Sequence, residues 1–93
     1  MIIGVCTLEL DIPAASLKDK RRIVKSVVAR LRNEFNISVA EVDHLDSWNS
    51  AIIAAVVVSS DANTVHRLLT RVARWVEQSR LDCGLVDYQI ELI

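Results

Sequence analysis

Ninety-three residues, 52% of them hydrophobic and 25% charged, describe one domain (residues 1–93) with a single core and leave no chain for a second. No apolar run approaches the roughly 20 residues that cross a bilayer, and the opening MIIGVCTLEL shows neither a basic leader nor a cleavage site, so the cytoplasm is the expected compartment and no membrane partner is expected. Cys6 and Cys83 lie far apart, form no CxxC pair and are too few for a disulfide scaffold or a metal cluster; they are read as reduced, buried thiols. The net charge of −1 hides a division: residues 17–35 hold seven basic and two acidic residues, +5, while the rest holds four basic and ten acidic, −6.

The first eleven positions after Met1 alternate, with Cys6, Leu8 and Leu10 facing one way and Thr7, Glu9 and Asp11 the other, as in a half-buried strand. Pro13 ends it. From Ser16 to Phe35 the stretch SLKDKRRIVKSVVARLRNEF predicts an amphipathic helix with Ser16 as N-cap and Asp19 reaching back to the free amides of the first turn. At about 100° per residue, Leu17, Val24, Val27, Val28, Leu31 and Phe35 form the core arc, and Lys18, Arg21, Arg22, Lys25 and Arg32 form a basic stripe. Lys18, Lys20, Arg21 and Arg22 crowd the first two turns, where the helix dipole prefers anions by roughly 0.3–1 kcal/mol per charge. Lys20 falls inside the core arc. It either snorkels past the helix start, the expected outcome, or enters a buried pair with a sheet carboxylate.

Ile37 to His44 read as a second strand, with Glu41 and Asp43 on a common face, and a turn follows at about His44 to Ser47. The run WNSAIIAAVVVSS, Trp48 to Ser60, is apolar at both parities and reads as the central strand. Asp61 or Ser60 caps a second helix to about Ser79. Its core side is Val65, Leu68, Leu69, Val72 and Val76, and Arg67, Arg71 and Arg74 make a second basic stripe. Leu81 to Ile93 is the last strand, with Val86, Tyr88, Ile90 and Leu92 alternating against Asp87, Gln89 and Glu91.

The order β-α-β-β-α-β is the ferredoxin-like, α+β sandwich: a four-stranded antiparallel sheet in spatial order 4-1-3-2 with two helices on one face. Both basic stripes then point out from the helical layer. Glu9, Asp11, Glu41, Asp43, Asp87 and Glu91 are expected on or near the uncovered face, beside an apolar patch of Ile3, Val5, Ile37, Val39 and one parity of Ile52 to Val58. Such a patch, or an exposed edge strand, implies a homodimer or another protein partner.

An RNA-recognition sheet needs exposed aromatics on its two central strands, and these strands carry acids and aliphatics instead. The loop DIPAAS lacks the cysteine pair of a heavy-metal carrier, and two glycines, Gly4 and Gly84, make no phosphate loop. Topology gathers one constellation, in which Ser16, Lys18, Lys20 and Arg21 stand near Asp43, His44, Asp46, Trp48 and Cys83. It is either an anion site formed by Ser16, Lys18, Lys20, His44 and Trp48, or surface ion pairs that neutralise the crowded lysines. No metal site is expected, since an adjacent Asp43–His44 pair and a flexible turn preorganise no ligand set. His66 is read as solvated and Trp75 as core, with Trp48 the tryptophan better placed for recognition. The basic helical face, Lys18, Arg21, Lys25, Arg32, Arg67, Arg71 and Arg74, is the candidate surface for phosphates.

The segments SLKDKRRIVKS, FNISVAEVD with a Trp soon after, and VHRLLTRVARWVE resemble the YlxP-like family of small bacterial proteins, a domain of unknown function. The resemblance runs the length of the chain. It implies the same fold and assigns no catalytic residues. It also implies a role near the ribosome, because the family's genes commonly lie among those for transcription termination, translation initiation and ribosome maturation. The expected protein is a non-enzymatic binding module without a cofactor, meeting ribosome or RNA through its basic helical face, and the alternative is a small-anion or nucleotide-binding regulatory domain at the first helix's N-terminus and the 44–48 turn.

Overall fold

The computed structural model describes residues 1–79 and 81–93. Its elements run β1 (Ile2–Asp11), α1 (Leu17–Glu34), β2 (Ser38–Asp43), β3 (Ser50–Ser59), α2 (Ala62–Gln78) and β4 (Gly84–Leu92). The strands pair antiparallel throughout in the order β2-β3-β1-β4, the ferredoxin-like arrangement.

Both helix starts are set by local side-chain chemistry. Ser16, in extended conformation, accepts through Oγ from the Asp19 N–H at 3.1 Å, and Asp19 Oδ2 accepts from the Ala15 N–H at 3.2 Å. At α2, Asp61 Oδ2 accepts from the Thr64 N–H at 3.1 Å and from Thr64 Oγ1 at 2.6 Å. These bonds favour the ionised caps: Asp19 lies below the usual carboxylate range through Arg22 and the Ala15 amide, and Asp61 through Thr64.

One face of the sheet is covered. Cys6, Leu8, Leu10 and Ile12 from β1 and just beyond it, Val39 from β2 and Ala51, Ile53 and Ala55 from β3 are buried beneath Ile23, Val24, Val27 and Leu31 of α1 and Val65, Leu69, Val72, Ala73 and Val76 of α2. Ile23 joins the core arc beyond the expected set, while Leu17 and Val28 are half-buried at its margin. At Gly4, β1 runs so close to α2 that a Cβ would overlap Val65 Cγ1 and come within 2.8 Å of Leu69 Cδ1.

Two bulges change which residues face which way. Glu41, two residues on from the buried Val39, stands opposite the buried Ile53 and faces the helices; pairing then slips, so that Asp43 stands opposite Ile52 on the open face. The two acids therefore do not share a face. The same register places Val39, 2% exposed and opposite Ala55, in the core, and Ile37 packs against that core; neither belongs to the open patch. In β4 a second slip sets Leu85 opposite Leu10 and Asp87 opposite Glu9, leaving Val86 outside the alternation and 60% exposed. The open face carries Ile3, Val5, Thr7 and Glu9 of β1 beside Val58, Val56, Ala54 and Ile52 of β3.

Lys20 does not snorkel. It is fully buried, with Nζ donating to Glu41 Oε2 at 2.5 Å and to the His44 carbonyl at 2.9 Å. The register of β2 explains this outcome, because Glu41 shares the inner face of the buried Val39 and brings a compensating charge to the one inward-facing ammonium, while the bulge after it turns Asp43 outward. The pair ties α1 to β2 and to the turn that follows.

Two substitutions test this packing. Gly4→Ala should cost about 1–3 kcal/mol by overpacking β1 against α2, read by urea unfolding; an unchanged midpoint would show that α2 is free to retreat. Glu41→Gln should destabilise by about 3 kcal/mol because it strands a buried ammonium, and the double change Lys20→Met/Glu41→Leu should recover most of that loss. A double variant no more stable than the single would mean that the pair contributes far more than charge compensation.

Candidate functional site

The helical layer carries a surplus of unpaired cations. Among the described residues the ion pairs are Lys20 with Glu41 and Arg22 with Asp19. Lys18, Arg21, Lys25, Arg32, Arg67, Arg71 and Arg74 are all exposed, and none of them pairs with a carboxylate among those residues. They do not form a single row. Arg32 Nη2 donates to the Val39 carbonyl at 2.8 Å, which holds that guanidinium against β2 and turns the α1 stripe toward the β2 side of the layer. Arg67, Arg71 and Arg74 line the outer surface of α2.

Between the stripes lies a feature that wheel positions alone did not mark. Phe35 and Trp75 meet edge to face, with centroids 6.2 Å apart and planes at 88°. The Arg71 guanidinium stands 5.8 Å from the Phe35 ring centre, and that of Arg30 stands 5.8 Å from the Trp75 ring centre. Arg30 sits about 120° from Lys18 on the α1 wheel, on the opposite flank from Arg21 and Arg32, so the stripe of greatest charge density passes it by. The signal available in the sequence was that α1 is basic on both flanks of its core arc. Trp75 is half-buried, at the seam between helices.

At the α1 start and the β2–β3 turn, the predicted anion-site residues come together only in part. Lys20 and His44 are in contact, but Nζ is committed to Glu41 and to the His44 carbonyl. His44 has φ 59°, the left-handed region, and its carbonyl also accepts from the Ser47 N–H at 3.0 Å. Its N–H donates to Asp43 Oδ1 at 2.7 Å, and its Nδ1 lies 2.8 Å from Ser50 Oγ. The Ser16 hydroxyl is used as the cap, Lys18 points to solvent, and Trp48 is 56% exposed with no polar contact joining it to the others. Of the cluster's cations and caps, Lys20 and the Ser16 hydroxyl already have partners in the fold, and Lys18 does not.

Burial pushes the Cys6 thiol up to about 11 and raises that of Cys83, to which the neighbouring Asp82 adds. Both stay protonated at neutral pH, which makes them poor nucleophiles and poor metal ligands. Among the described residues no three His, Cys, Asp or Glu side chains converge to hold a metal ion, and no helix is long and apolar enough to cross a membrane.

Comparison with known proteins agrees with this architecture. A de novo designed protein, Foldit4, superposes over 98% of this chain and 96% of its own with a TM-score of 0.52 at 14% identity, a likeness of fold alone. The uncharacterized protein YlxP of Bacillus subtilis (strain 168) is 33% identical over 77 residues, 82% of this chain and 84% of that protein. The model of a protein family of unknown function, DUF503, matches residues 3–90. A match across nearly the whole sequence, supported by that relative, shows that the chain belongs to DUF503, the YlxP-like family of unknown function.

Proposed function

We propose that this protein is a non-enzymatic cytoplasmic binding module that meets RNA, in the setting of ribosome maturation or RNA metabolism, through its helical face. The observation that carries the reading is the set of exposed Lys and Arg side chains on α1 and α2 that have no carboxylate partner among the described residues. Unpaired surface cations keep their full attraction for phosphates, whereas the acids Glu9, Asp11, Asp43, Asp87 and Glu91 stand on the other side of the sheet and do not screen them at contact range. The alternative small-anion reading has less to support it, since Lys20 and the Ser16 cap are already occupied.

The open sheet face supports self-association. Four strands about 4.8 Å apart and about nine residues long at 3.4 Å per residue present roughly 600 Å² in projection, close to the roughly 800 Å² per partner of a standard interface. Its centre is apolar, with Ile3, Val5, Ala54 and Val56, and its rim is polar, with Ser38, Gln89 and Glu91. Glu9 and Asp87 lie together at one end. Two copies crossing over the apolar half leave those acids apart, while full overlap would bring like charges together.

Fluorescence anisotropy with ribosomal RNA fragments at low salt tests the first reading. The triple reversal Lys18→Glu/Arg21→Glu/Lys25→Glu should weaken binding at least tenfold and flatten the log Kd against log salt slope by about 2; equal affinity for both proteins overturns the reading. Sedimentation should give a dimer at micromolar concentration that Val56→Lys converts to a folded monomer, and a monomeric parent protein would remove the sheet-face dimer.

A further inference from the structure

The geometry points to a binding site for an unpaired nucleotide of RNA in the groove between α1 and α2, with the base seated against Trp75 and its flanking phosphates on Arg71 and Arg74. The inference rests on the RNA reading above and narrows it from a charged face to a particular site and a particular form of the nucleic acid.

Two recesses adjoin at this seam. One, about 340 Å³, is lined by Arg30, Asn33, Glu34, Trp75 and Ser79. The other, about 220 Å³, adds Phe35, Arg71, Arg74 and Gln78 and shares Glu34 and Trp75 with the first. The larger lies at the low end of the roughly 300–1,000 Å³ of small-ligand pockets, which suits one base rather than a duplex groove. Of the four aromatic residues in the chain, two are gathered here, and each has an arginine over its ring. A guanidinium above an indole leaves a π-platform whose other partner is a flat ring, and bases of any sequence use such platforms in single-strand recognition.

Glu34 decides which part of a nucleotide goes where. Its carboxylate lines both recesses and has no ion-pair partner among the described residues. It repels a phosphate but accepts from the exocyclic amine of a base. The base is thus directed to the Asn33, Glu34 and Trp75 end, and the phosphates past Glu34 to the outer side of α2, where Arg74, Arg71 and Arg67 line recesses without an acid. There, Arg74, Arg71 and Arg67 continue along α2 beside a further recess formed by Thr64, Arg67, Leu68 and Arg71. The strand runs along α2 from a stacked base onto a row of guanidiniums.

The test uses Trp48→Phe protein, in which Trp75 is the sole indole; Trp48 is more than half exposed, so the change leaves the core intact. Indole fluorescence is titrated with an unstructured mixed-sequence oligoribonucleotide, with the same sequence as a duplex, and with mononucleotides. The site predicts saturable quenching by the single strand, weaker quenching by the duplex, and, read by anisotropy of a labelled oligoribonucleotide because the variant has no indole, a loss of about 5- to 150-fold in single-strand affinity for Trp75→Leu. Arg30→Ala, at an exposed position, should reduce single-strand affinity more than duplex affinity and serves where Trp75→Leu fails to fold. Duplex and single strand binding alike without quenching would overturn this site and leave the backbone-contact reading standing. Mononucleotides saturating as tightly as the oligomer would overturn RNA as the source of the base. Absence of any RNA binding overturns both readings.

Discussion

The ammonium of Lys20 is the constraint around which the corner formed by α1, β2 and the following turn is built. An inward-facing lysine in a domain of this size is tolerable only if a carboxylate and a carbonyl reach it, and each comes from a distant part of the chain: Glu41 from the inner face of β2, His44 through a left-handed turn. The positive φ of His44 costs on the order of 1–3 kcal/mol by itself. It is offset because its carbonyl takes both the Lys20 ammonium and the Ser47 amide while its own amide is capped by Asp43. The crowding of cations at the start of α1 is relieved by the same device. Lys20 is withdrawn into the pair and Arg22 leans on Asp19, so Lys18 and Arg21 are left facing water beside a dipole that does not favour them. Two charges that oppose the helix are retained at the surface with nothing in the fold to reward them there.

A sheet covered on one side turns a division in the sequence into a division in space. Ten basic residues lie on the helices and six of the twelve acids on the strands, and the sheet turns five of those six away from the helices. Glu41 is the exception that the core claims for itself, and its removal leaves the middle of the open face more apolar than the strand acids alone imply. The two surfaces are thus chemically distinct. One has an apolar centre with a polar rim and suits a second protein surface; the other is cationic, with an aromatic seam.

Much of this could be read from the chain. The alternation of Cys6, Leu8 and Leu10, the caps Ser16 and Asp61, and the both-parity run of β3 gave the elements, their order and most of the core, because each depends on near neighbours. The bulges could not be read. In β2, Ile37, Val39 and Glu41 compete with Ser38, Ala40 and Val42 for the inner face, and the choice is made by where β3 places Ala55 and Ile53, not by β2 itself. Lys20 was visible as an anomaly in the core arc, yet its partner stands 21 residues away and faces inward only through the register of β2 on β3. For the same reason the cationic residues were legible as exposed positions, while Arg30 and Trp75 were not legible as neighbours.

That last pair depends on the stagger of the helices. Arg30 meets Trp75 and Phe35 meets Arg71, so position rises on one helix as it falls on the other, as antiparallel neighbours require. A shift of one turn, about 5.4 Å, would slide Phe35 away from Trp75 and close the seam with aliphatic side chains. The stagger is in turn fixed from below, where Lys20 pins the start of α1 to β2 and Gly4 lets α2 settle onto β1. Neither residue lies in the seam. The aromatic groove is therefore a consequence of how the two helices are anchored to the sheet, and a substitution at either anchor should alter the groove without touching any residue that lines it.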